Sequence, residues 1–219
     1  FVDEHYIFMK KDLLLVTAIG AAVGLFVQPI LVNLVYGSPL LQGVVGGTEV
    51  TTVWKIGSFF VFLFLGPFAL FVAHVVNKLI PIYQFAKFAA VGVLNSFIGA
   101  GVINLLSLIF GITSGPWISP FATAAFLAAT TNSFFWNKFW TFQAGGKIEG
   151  GETAKFYTIA TIGSGLNVGT VSFIVNYLRP ETVAPELWLN VGALCGIAAS
   201  FLWNFFGYKY IVFKKVEAD

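Results

Sequence analysis

The chain has 219 residues, of which 58% are hydrophobic and 10% charged. Soluble globular domains carry roughly 25% charged residues, so this chain could not cover a soluble fold with polar side chains. Its net charge of +2 is too small to argue for a nucleic-acid partner, and a single cysteine, Cys195, excludes an internal disulfide framework or a Cys-rich metal site.

A bilayer core about 30 Å thick needs roughly 20 residues of helix. Six stretches meet that length, over about residues 13–36, 56–80, 88–111, 119–142, 156–178 and 187–213. None alternates apolar and polar residues as a barrel strand would. Runs such as FFVFLFLGPFALFVAHVV read as helix, because lipid offers the backbone no hydrogen bonds. The expected fold is all-α: a polytopic membrane helical bundle of about six transmembrane helices. Pro29 and Pro67 fall inside the first two stretches and should kink them. The links GSPLLQGVVGGTEVTT, IPIYQ, ITSGPWI, QAGGKIEGGET and RPETVAPE carry turn residues. No short apolar stretch with a small-residue cleavage site precedes the first long one, so no signal peptide is expected.

Lysine sets the expected orientation, since cytoplasmic loops are enriched in Lys and Arg. With the N-terminus inside, Lys10, Lys11, Lys78, Lys87, Lys138, Lys147, Lys155, Lys209, Lys214 and Lys215 all face the cytoplasm, leaving only Lys55 and Arg179 outside. The expectation is an integral protein of the cytoplasmic membrane with both termini in the cytoplasm.

The chain contains an internal repeat. AKFAAVGVLNSFIGAGVINLL begins at Ala86, and AKFYTIATIGSGLNVGTVSFIVNYL begins at Ala154. Their helical partners end in NSFFWNKFWTFQ and WNFFGYKYIVFK. Placing Phe142 on Phe213 puts Lys138 on Lys209. Residues 84–143 and 153–214 therefore read as two helical hairpins inserted in the same sense. Parallel repeats imply a pseudo-twofold axis along the membrane normal, with the natural pathway between the hairpins. Residues 1–82 read as a separate N-terminal helix pair.

At QFAKFAAVGVLNSF, NSFFWNKFWTF and SFLWNFFGYKYIVF the sequence resembles the GtrA-like family of small membrane proteins, over about residues 84–215. The family's Asn-basic-x-Trp-Thr-Phe pattern is matched by Asn137 to Phe142. The second copy departs from it, with Tyr208 at the Asn position and Ile211 at the Trp position. Many members carry an acidic residue where this chain has none, near Gly99. The resemblance implies translocation of a polyprenyl-phosphate-linked sugar for cell-surface polysaccharide or glycoconjugate synthesis. Two alternatives are a non-transporting anchor or regulator of a glycosyltransferase and, ranked last for want of an intramembrane carboxylate, a multidrug-type exporter. Expected partners are membrane lipid, the polyprenyl-phosphate sugar, a glycosyltransferase and further copies of the chain.

Lys138, Lys209, Lys87 and Lys155 are the candidates for the phosphate headgroup, because a lysine at headgroup depth offers a point charge and three donors. Helix-end lysines also anchor, snorkel and complement the dipole. Asn95, Asn132, Asn137, Asn167 and Asn204 are candidates for a polar seam or sugar contact, against the ordinary role of bonding helix to helix. Trp136, Trp140, Trp203 and Tyr208 could stack on a sugar, against membership of an interfacial aromatic belt. His74 reads as an interfacial histidine. Gly20/Gly24, Gly165/Gly169 and Gly192/Gly196 have the spacing of close helix packing. No phosphate loop, Ser elbow or His-Glu helix pair appears. No enzyme, cofactor or metal is expected.

Overall fold

A computed structural model describes the chain apart from residues 1, 38, 48–50, 79–81, 113, 117, 181–184 and 215–219. The side chains of residues 2–9, 29–30, 32–34, 36–37, 39, 108, 185–187 and 190 are also left out of the description. The described residues are helical, without strands. The elements are α1 (Val2–Gly37), α2 (Pro39–Val45), α3 (Thr52–Val76), α4 (Tyr83–Phe110), α5 (Ile118–Trp136), α6 (Gly150–Tyr177) and α7 (Pro185–Gly207). Two five-residue π-helical segments, π1 (Asn137–Thr141) and π2 (Tyr208–Val212), extend α5 and α7.

Five helices are long and apolar enough to cross a membrane: Lys10–Gln28, Thr52–Val76, Tyr83–Ser107, Gly150–Tyr177 and Val191–Val212. The sixth expected span corresponds to α5, which falls outside that set. Thr123, Thr130, Thr131, Asn132 and Ser133 lower its mean hydropathy. Two details of the elements differ from expectation. The first helix begins at Val2, well before residue 13, and the first link holds the short helix α2.

The chain divides into two compact units, Phe1–Trp136 and Asn137–Asp219. In the first, α1 lies antiparallel to α3. A Cβ at Gly20 would run into the backbone carbonyl of Phe62, one at Gly24 would meet Phe59, and one at Gly66 would meet Val16. The helix runs on through Pro67. A proline there cannot bond the carbonyl four residues back, which is Leu63, and Gly20 approaches that carbonyl as well. Val16, Ile19, Val23 and Val27 form the buried stripe of α1, at helical spacing. The fourth helix is parallel to α1, with Phe26 against Gly101 and Asp12 beside Lys87. It is antiparallel to α3, with ring contacts Phe62–Phe97 and His74–Tyr83. The fifth runs back along α4, with Phe110 stacked on Phe121 and Asn95 bonded to Asn132.

In the second unit α6 and α7 form an antiparallel hairpin closed by glycine. A Cβ at Gly192 would strike Val175, one at Gly196 would strike Val171 and Asn167, and one at Gly207 would strike Ile159. Gly163 sits against the Asn204 side chain. Of the three glycine pairs picked from the sequence, two pack helix on helix. Gly165 and Gly169 face open space. Large side chains such as Phe60, Phe64 and Phe68 of α3, Val168 of α6 and Leu194 of α7 point outward. Soluble monomers rarely expose apolar patches on that scale, whereas hydrocarbon solvates them.

Candidate functional site

The two segments that the repeat brings into register adopt the same unusual backbone. In π1 the Phe142 amide donates to the Asn137 carbonyl at 2.8 Å, and in π2 the Phe213 amide donates to the Tyr208 carbonyl at 2.8 Å. Each is a bond spanning five residues, the mark of a π turn, which inside an α-helix is rare and frequent at functional sites. After π1 the chain reverses. Gln143 takes φ 51°, Gly145 and Gly146 are also left-handed, and the Ala144 amide bonds the Lys138 carbonyl at 2.8 Å. This reversal returns the chain to the start of α6, so Glu152 meets Lys138.

Four lysines occupy equivalent places in the two copies, Lys87 with Lys155 and Lys138 with Lys209, yet their surroundings divide them by copy. Lys87 is buried and paired with Asp12 at 2.8 Å, both side chains 3% exposed. Asp12 also accepts the Tyr83 hydroxyl at 2.9 Å, and the Lys87 ammonium lies 5.3 Å from the Tyr83 ring centroid. Lys138 is buried and paired with Glu152 at 2.5 Å. In the second copy Lys155 is exposed, and Lys209 is half-buried with its ammonium over the rings of Phe205 and Tyr210. Among the described residues neither of these two has an ion pair. The phenylalanines beside the entry lysines are buried in both copies, Phe88 and Phe156. The duplication thus keeps the apolar anchor and changes the surroundings of the charge.

Phe156 is the best-buried large side chain in its unit and stacks on Tyr208, with ring centroids 3.9 Å apart. Phe142 stacks on Phe213 at 5.4 Å. Lys155 precedes Phe156 and Lys209 follows Tyr208, so the two lysines of the second copy flank one stacked pair at one end of the hairpin.

The asparagines go to different places. The Asn132 amide donates to Asn95 Oδ1 at 2.8 Å, clasping α5 to α4. Asn137 is fully buried at the head of π1. Asn167 borders Gly196, and Asn204 packs on Gly163, its Oδ1 buried without a hydrogen-bond partner among the described residues. Trp140 is buried. Trp203 bonds the Ile159 carbonyl through its indole N–H at 3.1 Å and keeps part of its ring exposed. Trp136 is the last residue of α5. Among the described residues no group of histidine, cysteine or acidic side chains could hold a metal.

Residues 87–213 match the family described as GtrA/DPMS, transmembrane domain, which is more than half of the chain. The chain belongs to the GtrA/DPMS transmembrane-domain family. It is 29% identical over 127 residues to the Bacillus subtilis (strain 168) "Uncharacterized membrane protein YngA", covering 58% of this chain and 77% of that protein. No solved structure matches it.

The GtrA/DPMS match opens on Lys87 and closes on Phe213, so it contains all four lysines and both π segments. It excludes Asp12, which reaches Lys87 from α1. Sequence reasoning passed over Asp12, Glu152 and Tyr83. The first helix, which starts at Val2, places Asp12 well inside it and buried. The expectation of no intramembrane carboxylate is therefore corrected at the edge of the first span, Lys10–Gln28. Glu152 lay hidden in a glycine-rich link, where only the neighbouring lysines hinted at a counter-charge.

Proposed function

We propose that this GtrA/DPMS-domain protein moves a polyprenyl-phosphate-linked sugar across the membrane and that Lys155 and Lys209 meet the phosphate. The observation that carries this reading is the division of the lysines. The second-copy pair lies at one end of its hairpin, beside the fixed Phe156–Tyr208 stack, exposed or half-exposed and without ion pairs among the described residues. Lys87 and Lys138 serve their carboxylates instead. A polyprenyl phosphate keeps its anionic head at headgroup depth and its chain in the hydrocarbon, which is where an exposed helix-end lysine works best. Trp203 and Tyr210 offer aromatic faces on the same hairpin for the sugar, and Asn167 and Asn204 offer amides along α6 and α7. With the lysine-bearing ends in the cytoplasm, as positive-inside placement requires, the sugar is loaded from the cytoplasmic leaflet.

The test is transport by the purified protein in vesicles loaded with a polyprenyl-phosphate sugar. The double variant Lys155→Gln, Lys209→Gln should lower the rate at least tenfold while leaving the fold intact, because neither side chain carries an ion pair among the described residues. An unchanged rate removes these lysines from the mechanism. No transport by the wild-type protein, together with copurification of a glycosyltransferase, would replace the carrier with an anchor.

A further inference from the structure

The first unit holds a cavity of about 250 Å³ between α1, α3 and α4. Val16, Gly20 and Val23 of α1, Gly66 of α3, and Ala86 and Ala90 of α4 are among its walls, and its lining is almost entirely hydrocarbon. Protein interiors contain few voids larger than a water molecule. An apolar cavity of about 150 Å³ stays dry and takes up a benzene-sized hydrocarbon. This one is larger, partly open, and set among three helices that cross the membrane, so hydrocarbon is the solvent at its mouth.

Its lining selects the occupant. From Val16 to Val23, and again from Ala86 to Val93, a helix rises about 10 Å, so the hydrocarbon walls accept a comparable length of lipid chain in van der Waals contact. The acyl chains of the surrounding bilayer lie at its mouth, and one of them fits such a slot.

Charge selects the head. Lys10 and Lys11 precede Val16 on α1, Lys78 follows the end of α3, and all three are exposed. They stand at the end of the cavity marked by Val16, Leu70 and Ala86, where, among the described residues, the buried carboxylate Asp12 is held by Lys87 and Tyr83. At the other end of α3 the nearest lysine is Lys55. Basic residues just outside a membrane helix attract anionic lipid.

We propose that the cavity between α1, α3 and α4 binds one acyl chain of an anionic glycerophospholipid, with its phosphate among Lys10, Lys11 and Lys78. The site is separate from the second-copy lysines of the carrier reading, and α1 and α3, which supply two of its walls, lie outside the family match. The additional helix pair thereby acquires a ligand of its own.

The full-length protein reconstituted in phosphatidylcholine vesicles, with a small fraction of spin-labelled phosphatidylglycerol, tests this. The wild type should hold a motionally restricted phosphatidylglycerol at least tenfold in preference to spin-labelled phosphatidylcholine. Ala90→Phe, which fills the slot, should abolish the restricted signal without lowering the melting temperature. Replacing Lys10, Lys11 and Lys78 with Gln should erase the preference for phosphatidylglycerol. A restricted signal that survives Ala90→Phe overturns the proposal, as does its displacement by equimolar polyprenyl phosphate, which would give the slot to the carrier lipid. Should Ala90→Phe fail to fold, Ala86→Val narrows the same slot, and an undiminished signal in that variant is equally fatal.

Discussion

Asp12 and Lys87 provide the sharpest test of how the N-terminal helix pair is held to the family domain. Their side chains are 3% exposed and 2.8 Å apart, and the Tyr83 hydroxyl donates to the same carboxylate oxygen. Asp12→Asn keeps the shape but leaves Lys87 facing a neutral amide. Removing one partner of a buried pair costs about 3–5 kcal/mol, because the remaining charge stays desolvated. Lys87 lies near the start of α4, where its stem can carry the ammonium partway to water, so the low end, about 3 kcal/mol, is expected. Lys87→Met should cost a similar amount by stranding the carboxylate. The double variant Asp12→Asn, Lys87→Met removes both desolvation costs at once. It should lie within about 1 kcal/mol of the wild type, since replacing a buried pair with uncharged groups of similar volume is often neutral. Tyr83→Phe should cost about 1.5–3 kcal/mol, the range for a hydrogen bond to a charged group. The assay is reversible unfolding in mixed detergent and dodecyl sulfate micelles, followed by helicity. A double variant as unstable as the sum of its singles would refute the argument, because the two residues would then act independently.

Three further outcomes follow from the packing. Glu152→Gln should destabilise by about 2–3 kcal/mol, below the range for a sealed pair, since the Glu152 side chain is 14% exposed and water can reach Lys138 from that side; thermal unfolding in detergent reads this. Gly163→Ala drives a Cβ into the Asn204 amide and should cost about 1–3 kcal/mol as overpacking; adding Asn204→Ala should restore most of the melting temperature, and a failure to restore it would mean that the clash lies elsewhere. Asn132→Ala should cost about 0.6–2 kcal/mol, the range for an interhelical bond in a membrane; Asn95→Ala in the same background should add little, because the bond is already gone.

The features legible in the sequence were those that depend on composition and repetition. Long apolar runs announced helices, because lipid leaves the backbone no other solution. The alignment of Phe142 with Phe213 predicted that the two hairpin ends would match, and they match down to the π turn. The π geometry itself left no mark in the pattern, since aromatic residues followed by lysine suit an α-helix equally well. The charge partners were hidden for another reason. Asp12 and Glu152 lie 75 and 14 residues from the lysines they hold, and only tertiary packing brings them together. The fifth helix, which runs back along α4, has a lower hydropathy than the other long helices because of its run of threonine, asparagine and serine.

The two copies share a backbone plan but cannot share a ligand on equal terms. A phosphate approaching Lys87 or Lys138 must first displace a carboxylate from a buried pair, and the stranded acid would cost about 3–5 kcal/mol. At 1.4 kcal/mol per decade, that penalty weakens binding by roughly two to three and a half powers of ten. Among the described residues Lys155 and Lys209 hold no carboxylate, so they incur no such loss. The four lysines at matching places in the two copies are thereby divided. The first copy's cations are spent inside the protein, one fastening α1 to α4 and the other fixing π1 to the start of α6. The second copy's remain at the surface, beside a stacked Phe156 and Tyr208 that hold their helices in place. If both pairs bound the headgroup equally, removing the first pair with its acids (Lys87→Met with Asp12→Asn and Lys138→Met with Glu152→Gln) and removing the second (Lys155→Gln with Lys209→Gln) would slow transport alike. The energetics require the second to slow it at least tenfold more than the first.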